Sequence, residues 1–222
     1  MESKIEAKMP MPQVSGHGRV RNNFSLQHFL STVTFCKLAH QHEMTHENDE
    51  CGSHFECLRT FVSSAIMLSF ASVEANINEF FLDAPILVPS EFKTPITEII
   101  HYDTLSTLEK YQIALTLAHR GIFDKSKNPY QSVDILRRLR NKLIHFTPSW
   151  ERNDKSIAGY LMPKVDLSPY FTKDDDFVPL RSMTYSVAKW SFEVAVSFID
   201  GFYALMGIAS KLDEHRKRLI LP

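Results

Sequence analysis

At 222 residues the chain fits one domain, and its 44% apolar share is ordinary for a globular protein with a substantial core. A formal net charge of −1 excludes strong global attraction to nucleic acid or to a membrane, so RNA binding would need a local patch. Phe is abundant at 16 and Gly scarce at 7, which favours packed helices over a turn-rich sheet protein. The opening MESKIEAKMPMP has no apolar h-region, and no apolar run reads as long and clean enough to span a bilayer. Three cysteines, an odd number, fit a reducing cytoplasm better than a disulfide framework. The expectation is a cytoplasmic protein without membrane contact.

Residues 1–23 are polar and carry Pro10, Pro12, Gly16 and Gly18, so they read as a mobile tail. Residues 24–213 then read as one helical domain. Ser25 suits the cap of a first helix whose apolar face is Leu26, Phe29, Leu30, Val33 and Cys36. His40, His42, His46, Cys51, His54 and Cys57 follow as the one metal-like cluster. Their spacing fits no zinc-finger pattern, and Glu47-Asn48-Asp49-Glu50 reads as a solvated loop, so no structural zinc is expected. From Phe55 to Asp83 runs a long helical segment with two apolar stripes. Leu58, Val62, Ala65, Ser69, Ser72 and Asn76 trace one; Ile66, Phe70, Val73, Ile77 and Phe80 trace the other. Glu74 and Asn78 lie one turn apart on it. They either hold the reactive residues of a later helix in place or form a surface polar pair.

Prolines 85, 89 and 95 make Ala84 to Pro95 a loop. Ser106 with Glu109 spells a capping box for the next helix, and Gly121 suits its end. Val133 to Thr147 is the organising helix, with Asn128 as its cap, Pro129 at its first position and Pro148 stopping it. Val133, Leu136, Leu139 and Leu143 form a buried stripe, and Arg140 falls on that stripe. A guanidinium there is costly unless it is paired or opens into a cleft. Asn141 and His145 stack on a neighbouring face. Arg137, Arg138 and Lys142 join Arg140 against Asp134 alone, which is the clearest basic patch and the candidate RNA-binding surface. Residues 148–182 read as an irregular insertion, with a short strand or hairpin over Ile157 to Val165. Thr184 to Asp213 is the last helix, and 214–222 a C-terminal tail. No Gly-rich phosphate loop, His-Glu-x-x-His or nucleophile elbow occurs, and no cofactor is expected.

Arg140-Asn141-Lys142-Leu143-Ile144-His145 resembles the signature of HEPN domains: Arg, a polar residue, a short spacer, then His near a helix end. Ser72-Val73-Glu74-Ala75-Asn76-Ile77-Asn78-Glu79 is similar to the second-helix pattern of HEPN-like proteins. The resemblance implies an all-α, HEPN-like antiparallel bundle that dimerises and cuts RNA without metal, as toxin- and defence-type members do. It implies Arg140, Asn141 and His145 as catalytic residues, with Glu74 and Asn78 behind them. RNA, a second copy of the chain and a cognate antitoxin are then its partners. Noncatalytic interaction or RNA-binding modules are also part of what the resemblance brings. Some members carry a Tyr two residues after the His that a partner nucleotidyltransferase modifies; here that place is Thr147, after Phe146.

The chemistry asks for a base on the 2′-hydroxyl, an acid for the 5′-oxygen and cations for the phosphorane. An imidazole can serve as base or acid, and Arg can hold two phosphate oxygens at once. One chain offers one motif His, and a two-fold dimer offers two.

Overall fold

The structure, a computed structural model, describes residues 23–87, 105–146 and 155–222, leaving aside the side chains of 84–87. The expected N-terminal tail up to Asn22, most of the loop after Leu87, and Thr147 to Asp154 lie outside the described residues. Those described form helices and no strand, so the chain is all-α. In chain order they are α1 Phe24–Thr45, α2 Ser53–Leu87, α3 Thr107–Leu117, α4 Tyr130–Ile144, α5 Lys155–Leu161 and α6 Tyr185–Met206. A kinked turn at Phe177–Arg181 precedes α6, and a 3-10 turn at Asp213–Arg218 follows it.

α1 and α2 form an antiparallel hairpin. At its closed end His42 Nε2 donates to the carbonyl of His54 (2.8 Å). At its open end Glu79 reaches Ser25. Both expected stripes of α2 are buried, from Leu58 and Val62 to Ile77 and Phe80, because α2 is covered by α1, α4 and α6. That burial accounts for its apolarity. By length and composition alone Ser53–Asp83 could cross a membrane, contrary to the expectation that no run qualifies, but half of its apolar window is buried within the fold. α6 packs antiparallel to α1, with Phe29 edge-on to Phe192 and Tyr185 beside His40.

One buried polar group ties three helices. Asn76 lies on the α2 stripe, donates to the Tyr203 hydroxyl of α6 (3.3 Å) and accepts from the Tyr111 hydroxyl of α3 (3.1 Å). The single Tyr111 hydroxyl hydrogen is shared with the carbonyl of Val73, its nearer acceptor (2.8 Å). Each buried polar atom here finds a partner, which is what makes an amide tolerable on an apolar stripe.

Several helix ends differ from expectation. Ser25 does not cap α1; it is the second residue of the helix, and Glu79 binds it from α2. α2 continues past Ala84 and Pro85 to Leu87. The capping box at Ser106 and Glu109 is present. α3, however, ends at Leu117, with Ala118 rather than Gly121 at its C-cap. His119 takes the left-handed conformation (φ 51°), while Arg120 N donates to the Leu115 carbonyl and His119 N to that of Thr116. Asn128 does not cap α4, because its side chain accepts from Ser132 and Tyr160. In place of the expected strand over Ile157 to Val165, residues Ile157 to Leu161 belong to helix α5. α6 ends at Met206, where Gly207 adopts φ 74°, so the segment to Asp213 is not one helix. The C-terminal segment packs on the body: Leu219 is buried and the Pro222 carbonyl accepts from the Tyr185 hydroxyl.

Candidate functional site

Leu136 and Leu139 anchor α4 in the core, and that anchoring fixes where Arg140 emerges. Its side chain is 26% exposed and crosses to α2, where Phe70 and Glu74 are one turn apart. The guanidinium carbon lies 5.5 Å from the centre of the Phe70 ring. Nη2 meets Glu74 Oε2 at a long 3.5 Å, and Nη1 donates to Asn141 Oδ1 at 3.0 Å. Glu74 is half exposed, so the ion pair is weak, about 0–1 kcal/mol. Arg140 is thus held at the rim of the core rather than locked inside it.

His145 is the residue at which α4 stops. Its amide donates to the Asn141 carbonyl (2.9 Å), its backbone leaves the helix, and its side chain is exposed. The exposed Ile144 and Phe146 flank it. Arg140, Asn141 and His145 therefore share one end of one helix, with the first two bonded to each other.

The supporting residues divide. Glu74 stands beside Arg140. Asn78, one turn further along α2, accepts instead from Lys110 Nζ of α3 (3.1 Å). Arg137 folds back on Asp134 through Nε and Nη2 (3.0 and 2.8 Å). Arg138 Nη2 donates to Ser156 Oγ of α5 (2.6 Å), and Lys142 is partly buried. The basic patch is thus partly neutralised by its own helix and partly used to hold α5.

A second feature escaped the sequence. A cavity of about 290 Å³ opens between the α1–α2 turn and the start of α6, lined by His42, Glu43, His54, Asp166, Tyr170 and Tyr185 among others. Glu43 Oε1 accepts from the Tyr185 amide (2.6 Å) at the first turn of α6. Burial pushes the Glu43 carboxyl above its ordinary range; the Tyr185 amide opposes this and Asp166 adds to it. No sequence pattern joins these residues, which come from three distant segments.

Compared with protein-family models, curated proteins and solved structures, the chain matches none of them.

Proposed function

We propose that the protein is a HEPN-like, metal-independent endoribonuclease whose composite site forms where two α4 ends meet. One observation carries this reading: Arg140, at an accessible rim, is bonded to Asn141, which lies one turn before an exposed His145. In this mechanism one imidazole takes the proton of the 2′-hydroxyl as that oxygen attacks phosphorus. The imidazole of the second chain protonates the departing 5′-oxygen. Arg140 holds the phosphorane oxygens, and Asn141, its oxygen engaged by Arg140, offers its amide N–H to a phosphate oxygen. The products are a 2′,3′-cyclic phosphate and a 5′-hydroxyl. RNA is the substrate, and a cognate antitoxin is the natural brake on such an activity in the cytoplasm.

A second reading, a noncatalytic dimeric interaction or RNA-binding module, draws on Arg140 bridging α4 to Phe70 and Glu74 of α2. Two substitutions separate the readings. His145→Ala should lower cleavage by about 10²–10⁴-fold, the usual worth of a general acid or base, with the helical signal unchanged. Arg140→Ala should also abolish cleavage while costing only about 1 kcal/mol of stability, because its ion pair with the half-exposed Glu74 is long and weak. Cleavage should survive chelators and spare substrates lacking the 2′-hydroxyl. RNA left intact by the wild-type dimer, together with a large stability loss in Arg140→Ala, would favour the second reading.

A further inference from the structure

The turn between α1 and α2 gathers three metal-ligating side chains. His46 follows the last residue of α1, Asp49 lies in the turn, and His54 is the second residue of α2. One ligand atom from each lies within 4.8 Å of the other two. The His46 and His54 rings are parallel, with centroids 5.0 Å apart. His46 Nδ1 meets Asp49 Oδ2 at 2.6 Å.

The surrounding bonds orient the set. The Tyr170 hydroxyl gives its one hydrogen to the His46 carbonyl (3.2 Å), so it accepts from His54 Nε2–H (3.2 Å). That assignment leaves the lone pair of His54 on Nδ1. An imidazole whose other N–H is engaged by an oxygen is the usual form of a metal ligand. His42 Nε2 donates to the His54 carbonyl and fixes the start of α2. Donors about 2.0–2.1 Å from a tetrahedral ion stand closer together than 4.8 Å, so binding needs a modest contraction of the turn.

We propose that His46, Asp49 and His54 bind a divalent transition-metal ion, zinc by the chemistry of its donors, with a fourth position open to the adjoining cavity. Two imidazoles and one carboxylate form a donor set of zinc sites that keep a position for water or substrate. Both His46 and His54 line the cavity. Cys51 and Cys57, exposed and outside the set, take no part. The site is separate from the α4 motif, since His54 and Phe70 are sixteen residue steps apart on α2, about 24 Å of helix.

The test uses the full chain, stripped with a chelator and titrated with zinc ion by calorimetry, and with cobalt(II) followed by visible absorption. One equivalent of zinc should bind, and cobalt(II) should give the strong bands of four-coordination. His54→Ala and Asp49→Ala should each weaken zinc binding by more than about 100-fold, beyond the cost of losing an outer-shell partner. Cys51→Ser with Cys57→Ser should leave it unchanged, and magnesium should not compete, because it prefers oxygen donors. Circular dichroism of each variant should match the wild type. Failure to bind one equivalent, binding that survives both ligand substitutions, or binding lost in the double cysteine variant would overturn the proposal. Because RNA cleavage is expected to survive chelation, failure of either idea leaves the other standing.

Discussion

Glu43 is a carboxyl held where charge is expensive. Burial beside Asp166 raises its pKa above the ordinary 4.5, although the Tyr185 amide favours the charged form. The native state then binds more protons than the unfolded chain between 4.5 and the raised value. Stability contributed by the neutral carboxyl is complete below 4.5 and is lost as pH rises through the folded pKa. Glu43→Gln keeps an oxygen for the Tyr185 amide and removes the titration. Its stability relative to wild type should therefore grow with pH across that window and then level off, as read from urea denaturation at a series of pH values. A constant difference would mean that the carboxyl is solvated, and one that shrinks with pH that the Tyr185 amide outweighs burial. Cys36 shows the same physics without a pairing partner: burial pushes its thiol up to about 12, whereas Cys51 and Cys57 are exposed.

At the scale of elements, the first turn of α1 depends on a residue from α2. Glu79 is buried and accepts from both the amide and the hydroxyl of Ser25 (2.8 and 2.7 Å). Glu79→Ala strands both donors. It should cost at least about 1–3 kcal/mol in chemical denaturation, the penalty for an unsatisfied buried group. Glu79→Gln, which keeps one acceptor, should cost less. A loss of only about 0.5 kcal/mol, typical of a surface change, would show that water replaces the carboxylate. The same contact explains a failure of sequence reading. Ser25 looks like a cap because capping residues are recognised locally, yet its partner is 54 residues away. Asn128 misleads for a like reason, since Tyr160 claims its side chain. Where the determining physics is local or periodic, the sequence is readable. The Ser106 and Glu109 box lies within four residues, and the α2 stripes repeat with the helix itself. His46 and His54 already stand in the metal-like run of the sequence, but only the folded hairpin brings Asp49, rather than a cysteine, into their group.

For the whole molecule, the α4 motif is legible but its pairing is not, because a single sequence carries no marker for a symmetric surface. The proposed cleavage nevertheless calls for both an acid and a base, and each chain brings one His145. The apolar residues Ile144 and Phe146 stand 46% and 43% exposed on either side of it. Buried against a second copy, they would place two His145 side chains near a two-fold axis, each contributing to the apolar core that interfaces need. Sedimentation velocity of the full chain at micromolar concentration should therefore show a homodimer. Ile144→Glu with Phe146→Glu places two carboxylates at that axis in each chain. The variant should sediment as a monomer, keep its helical circular dichroism, and lose cleavage together with dimerisation. Loss of cleavage in a variant that remains dimeric would point instead to a direct effect of the new charges on RNA. A wild-type chain that stays monomeric while cleaving RNA would require acid and base from one subunit, and the two-fold site would have to be abandoned.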